Sequence, residues 1–248
     1  MRRGKRQRVG RRRTGWAWLR WAAWTLAGLF FAQLGYVLAL RWVDPSATPT
    51  MWRAARELRA EGAEIRYAPV ALEAMGPHAP LAILAAEDQE FCNHRGFDMG
   101  AIRDAIAYNR KHAGRRLRGG STISQQVAKN VFLWQERTWL RKGLEAWFTV
   151  LIEVSWGKRR ILETYLNCAE MGRGIFGIDA AARHYFGKPA NALTREEAAL
   201  IAAALPGPRI YSIAKPGPWL RRRQQWVIGQ MRNIGGYPRI RTLLASDG

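Results

Sequence analysis

Residues 80–98 read PLAILAAEDQEFCNHRGFD, and the fold class turns on this stretch. Pro80 suits the first turn of a helix, where its missing N–H costs nothing. Glu87 follows Ile83 by four residues and Leu84 by three, so its carboxylate shares a helix face with apolar side chains. Asn93, Arg95 and Gly96 break the helical pattern soon afterwards. A carboxylate near a helix C-terminus and against apolar neighbours is disfavoured as an anion by both the dipole and desolvation, which raises its affinity for a proton. Such a group can serve as a general acid or base; read from this cluster alone, it can equally be a surface carboxylate paired with an arginine. His94 is open in the same way, as a packed residue or a ligand.

Downstream, helical periodicity continues. Residues 119–130, GGSTISQQVAKN, open on a flexible glycine pair, and Thr122 and Gln125 have the spacing of a capping box. Gln125 and Lys129 share a helix face, while Ser121 and Thr122 bring hydroxyls and free backbone N–H groups to the helix start, an end suited to a phosphate or a sugar. The Walker spacing is absent. Lys111, Arg115, Arg116 and Arg118 precede this helix as a basic loop, either a solvated turn or a mobile lid over an anionic substrate. RKGLE at 141–145 places Arg141 and Glu145 four apart. In KRRILETYLNCAEMGRGIFGI, residues 158–178, Ile161, Leu162, Tyr165 and Leu166 form a buried stripe, with Lys158, Glu163 and Asn167 off it. Ser155-Trp-Gly-Lys158 has the Ser-x-x-Lys spacing of penicillin-binding acyl enzymes, but Ser-Asp-Asn and Lys-Thr-Gly are both missing, so the spacing is chance. Thr194 to Glu197 is a second capping box, opening an apolar helix that Pro206-Gly-Pro208 stops, and 219–231 reads as a basic amphipathic helix. Strand signals are scarce, with short ones near 65–70. The reading is one mostly α domain.

Upstream, residues 21–40 hold sixteen hydrophobic residues in twenty and no charge. A helix of that length spans about 30 Å, the hydrocarbon thickness of a bilayer. Trp16, Trp18, Trp21 and Trp42 flank it, and eight basic residues lie within 1–13, with no acidic residue before Asp44. The positive-inside rule then puts the N-terminus in the cytoplasm. The apolar run is longer than a signal-peptide core, and no clear A-x-A site follows it, which favours an uncleaved anchor. The expected division is a basic head at 1–15, an anchor at 16–42, a linker and membrane-proximal segment at 43–62 and a catalytic domain at 63–248.

The 248 residues carry 40 Lys and Arg against 19 Asp and Glu, a formal charge of +21. Beyond position 41, thirty basic residues face those nineteen acidic ones, so the body is still +11. An excess of this size points to a polyanionic neighbour: nucleic acid, anionic lipid or a phosphate-bearing substrate. Two cysteines, Cys92 and Cys168, are too few for a disulfide scaffold or a four-cysteine zinc site. They are expected to be unpaired and buried.

Taken in order, EDQEFCNHRG, GGSTISQQVAKN, RKGLE, KRRILETYLN and AALPGPRIY resemble the successive motifs of glycosyltransferase family 51, the peptidoglycan polymerases, over about residues 80–212. The length, the single anchor and the missing transpeptidase motifs resemble its monofunctional members rather than two-domain penicillin-binding proteins. The resemblance implies a mostly helical, lysozyme-like, two-lobed domain in the bacterial inner membrane, with the catalytic part in the periplasm. It also implies the reaction, in which the 4-hydroxyl of lipid II attacks the anomeric carbon of a growing glycan held on undecaprenyl diphosphate, with inversion.

By the same resemblance Glu87 is the general base and Glu145 the second carboxylate, assisting the diphosphate directly or through a cation. Lys129 and Arg137 hold the diphosphate, Ser121, Gln125, Gln126 and Lys158 complete the cleft, and Asp88, Phe91, His94, Glu163 and Asn167 support it. No cofactor is required by the sequence. A divalent cation, Mg²⁺ or Mn²⁺, accompanying the diphosphate is left open, as are partners among cell-wall synthesis proteins. Two other classes remain: a lytic, lysozyme-like enzyme, which would have no diphosphate to hold, and a basic membrane-tethered scaffold or nucleic-acid binder, which would need only a charged surface. The ordered carboxylates and cations favour the polymerase, with no nucleic-acid partner.

Overall fold

The computed structural model describes residues 13–112 and 119–245. The head up to Arg12 and the basic loop residues Arg115, Arg116 and Arg118 lie outside the described residues. The chain divides into two units, 1–43 and 44–248.

The first unit is a helix, α1 (Arg13–Ala39). Its segment Trp16–Ala39 has 24 residues and a mean hydropathy of 1.5, long and apolar enough to cross a bilayer. Trp21, Trp24, Leu26 and Phe31 are exposed along it.

The second unit is built from α2 (Pro49–Arg59), α3 (His78–Glu87), α4 (Met99–Lys111), α5 (Ile123–Phe132), α6 (Trp139–Ser155), α7 (Lys158–Cys168), α8 (Ile178–Phe186), α9 (Arg195–Ala204), α10 (Pro218–Ile234) and α11 (Pro238–Leu244). Helix α3 is apolar on every side, so it can be stable only inside, and Ala82, Ile83, Leu84 and Ala85 are wholly buried. It packs against α9, itself alanine-rich and buried from Ala198 to Ala204, and against α10. A second layer forms where α5 packs on α6 and α7, with Phe132 and Phe148 stacked at 4.5 Å. Both expected capping boxes are present, Thr122 with Gln125 at the start of α5 and Thr194 with Glu197 at the start of α9.

A three-stranded sheet of order β1-β3-β2 completes the unit, from β1 (Arg66–Tyr67), β2 (Glu170–Gly172) and β3 (Ile175–Phe176). The first strand falls within the expected 65–70 segment; the other two are additional, and each is too short to show an alternating pattern. Gly177 follows β3 at φ +88°, where a Cβ would come within 2.7 Å of the Asn167 carbonyl oxygen. Asn167 is fully buried, which corrects its expected position off the apolar stripe. Its amide accepts from the Val70 N–H at 3.2 Å and donates to the Val70 carbonyl at 3.0 Å, which satisfies the buried polar group. Glu163 likewise accepts from the Leu72 N–H at 2.9 Å. Both residues thus tie the segment before α3 to α7. Cys168 is buried and Cys92 half-buried, and both are free thiols; burial pushes the Cys168 thiol up to about 12.

Candidate active site

Helix α3 ends on Glu87, and Asp88 is its C-cap. The Asp88 carboxylate accepts from the backbone N–H of Ile123, the first residue of α5, at 3.0 Å, and meets His94 Nε2 at 3.0 Å. A buried carboxylate on an N-terminal backbone N–H satisfies an orphan donor and complements the dipole of α5. This one residue therefore pins the end of α3 to the start of α5. Thr122 ties the same point to the following loop, donating to the Gly96 carbonyl at 2.6 Å. Phe91 lies buried beneath, edge-on to His94.

With the two helix ends locked together, Gln126 on α5 faces Glu87. Its Nε2 donates to Glu87 Oε2 at 2.8 Å, and its Oε1 accepts from the Tyr165 hydroxyl at 3.3 Å. Tyr165 is buried on α7, and its phenol is held well above the usual range by burial and by the charges of Glu87 and Asp88. Burial raises the proton affinity of Glu87, with a smaller push from Asp88; the Gln126 hydrogen bond and the charges of Arg223 and Lys129 act against it. The carboxyl is thus a better base than an ordinary glutamate, as a proton acceptor working near neutral pH requires.

Gln126 also lines a cavity of about 370 Å³ together with Ser121, Gln125, Lys129, Gln135, Arg137, Arg141, Lys142 and Glu145. Among the described residues, four cations and one carboxylate line it. Arg141 Nη1 donates to Glu145 Oε2 at 2.6 Å and Lys142 Nζ to Oε1 at 2.5 Å. Arg141 is also fixed by the Glu136 carbonyl at 2.8 Å. Burial lowers the proton affinity of the Lys129 ammonium, and the neighbouring arginines and Lys142 lower it further, against the attraction of Glu145. An excess of fixed positive charge around one neutralised carboxylate is a receptor for an anion of at least two charges.

The cavity brings together six of the residues singled out in the sequence: Ser121, Gln125, Gln126, Lys129, Arg137 and Glu145. Gln125 also closes the capping box, accepting from the Thr122 N–H at 3.1 Å. Lys158 does not line this cavity. Its ammonium bonds Glu153 Oε1 at 2.7 Å and sits 4.4 Å from the centre of the Phe91 ring; Glu153 also accepts from the Ser124 hydroxyl. Glu153, five residues before Lys158, was not foreseen as its anchor. Three lining residues were not singled out for the site: Gln135, Arg141 and Lys142. The signal for the latter two was local, since they occupy the positions four and three before Glu145.

The sequence profile of the family described as Transglycosylase matches residues 55–232. A biosynthetic peptidoglycan transglycosylase of Shewanella oneidensis is 49% identical over 217 residues, covering 87% of this chain and 91% of the relative. One of Aeromonas hydrophila is 51% identical over 201 residues, covering 80% and 84%. One of Pseudomonas aeruginosa is 48% identical over 212 residues, covering 83% and 88%. The matched segment contains Glu87, the locked ends of α3 and α5 and every residue lining the cationic cavity, and the chain belongs to the transglycosylase family.

Proposed function

We propose that this protein is a peptidoglycan glycosyltransferase that polymerises lipid II into β-1,4 glycan strands and releases undecaprenyl diphosphate. The observation that carries the reading is the position of Gln126, bonded to the poised carboxylate on one side and lining the four-cation cavity on the other. A base and a receptor for a dianion, one side chain apart, are what attack on a glycosyl diphosphate needs. An enzyme that only cleaves glycan has no use for the second of these.

In this reading Lys129, Arg137, Arg141 and Lys142 bind the donor diphosphate, whose charge grows as the C1–O bond breaks. Glu87 takes the proton of the acceptor 4-hydroxyl as its oxygen attacks C1 from the opposite face, and the inverted β-1,4 bond forms. The diphosphate leaves with the bonding electron pair and is met by cations already in place. Ser121 and Gln135 offer neutral hydrogen bonds at the cavity wall. Glu145 holds Arg141 and Lys142 in position and keeps the empty receptor from repelling itself.

The donor set does not fit a resident divalent cation, because both oxygens of the one carboxylate that lines the cavity among the described residues are already bonded to Arg141 and Lys142. The Arg-rich head and α1 support a single-pass anchor in the bacterial inner membrane with the head cytoplasmic and the catalytic unit periplasmic. Lipid II, the growing glycan and the membrane are then the partners. In detergent with labelled lipid II, the purified protein is expected to yield polymer; inert lipid II, with shortening of added glycan strands, would reject the reading.

A further inference from the structure

Helix α10 carries its core side chains, Leu220, Gln224, Val227 and Met231, on one face. Beside that face runs a second stripe, Trp219, Arg223 and Trp226, spaced by four and three residues and therefore aligned along the helix. Trp219 is 39% and Trp226 45% exposed. The Arg223 guanidinium lies 5.9 Å from the centre of the Trp219 ring and 5.4 Å from that of Trp226, so the two indoles hold it between them. Tyr211 stacks on Trp219 at 4.2 Å and 14°. Tyr211 and Trp219 also line a cavity of about 300 Å³ with Ser212 and Lys215.

Two observations connect this ridge to the reacting carboxylate. Gly235, just past the end of α10, lies against Leu81 in the first half of α3, where a Cβ would be 3.4 Å from the leucine side chain. The start of α10 therefore runs toward the other end of α3, where Glu87 sits, and the Arg223 charge acts on that carboxyl. Arg223 Nε is buried with no hydrogen-bond partner among the described residues, although a buried N–H is ordinarily paired. The indole faces, the cation held between them and the unmet donor match the two sides of a pyranose ring: an apolar C–H face and an edge of hydroxyl and carbonyl oxygens.

We propose that Tyr211, Trp219, Arg223 and Trp226 form a saccharide-binding ridge that continues the cleft from Glu87 and carries the glycan strand near its reacting end. The proposal rests on the glycosyltransferase reading for the identity of the strand, and its test does not use lipid II. The probe is a soluble β-1,4-linked N-acetylglucosamine hexamer titrated into the full chain in detergent. Trp219→Ala and Trp226→Ala remove half-exposed side chains outside the core, so both variants are expected to fold.

Each is expected to weaken hexamer binding about 3- to 10-fold, the range of one aromatic stacking contact. Trp52→Ala, on α2, should bind the hexamer as wild type does. Partition onto phosphatidylglycerol vesicles should be the same in wild type, Trp219→Ala and Trp226→Ala. A wild-type protein that does not bind the hexamer, or Trp219 and Trp226 variants that bind it as wild type does, would overturn the proposal. A loss confined to vesicle binding would overturn it too and make the ridge a membrane-docking surface. Failure to polymerise lipid II with hexamer binding intact would count against the function and leave the ridge standing.

Discussion

Gln126 donates to Glu87 at 2.8 Å while accepting from Tyr165 at 3.3 Å, so a buried phenol sets which end of the amide faces the carboxylate. The hydrogen bond favours the anion of Glu87, against the burial that disfavours it. Gln126→Leu should therefore raise the proton affinity of Glu87 further. A base works only when deprotonated, so activity falls as pH drops through its pKa, and the acid limb of kcat/KM should move to higher pH. A hydrogen bond to a charged acceptor is worth about 1.5–3 kcal/mol, so the rate should fall more at acid pH than at pH 8. An acid limb that stays in place would show that Gln126 does not tune the base.

Tyr165→Phe keeps the core packing and removes only the hydroxyl, freeing the Gln126 amide to turn its oxygen toward Glu87. The same limb should move in the same direction by less, with thermal stability lowered by about 1 kcal/mol. A pH profile identical to wild type would make Tyr165 a packing residue alone.

Lys129 supplies charge only while protonated, and burial with three cationic neighbours lowers its proton affinity. The charge is lost as pH rises through that lowered value, so kcat/KM should fall on the alkaline side before an ordinary lysine would titrate. Bound diphosphate restores the affinity, so kcat should hold to higher pH. Lys129→Arg should abolish that alkaline limb, and Lys129→Ala should cost about 10- to 100-fold in kcat/KM, the worth of one charge-assisted hydrogen bond.

Glu145 is buried with one oxygen on Arg141 and the other on Lys142. Glu145→Gln leaves Arg141 buried without its counter-charge and should destabilise the unit by about 3 kcal/mol, read by thermal unfolding. Inorganic diphosphate should recover more melting temperature in this variant than in wild type. Equal recovery in both would separate Glu145 from the anion receptor.

Local chemistry made much of this legible in the sequence. The capping boxes at Thr122 and Thr194 lie within four residues of chain, and the apolar face that Glu87 shares marks it as a candidate base, although the same stretch also fits a surface carboxylate paired with an arginine. What the sequence hid is non-local. Strand β3 pairs with β1, about a hundred residues earlier, and β2 pairs with β3, while Gly177 lets the chain after β3 pass close to the Asn167 carbonyl. Lys158 has the composition of a substrate ligand, yet Glu153 and Phe91 hold it away from the cavity. Arg223 stands 136 positions after Glu87 in the sequence, and only the packing of α10 on α3 brings its charge to the base.

The most direct measurement is polymerisation of labelled lipid II by wild type and Glu87→Gln, alongside lipid II binding by each. The amide is isosteric and cannot accept the proton, while Gln126, Asp88 and the cationic cavity stay in place. Wild type is expected to give polymer, with a loss of at least about a thousandfold in the variant and binding within a few-fold. Turnover by Glu87→Gln at the wild-type rate would contradict it.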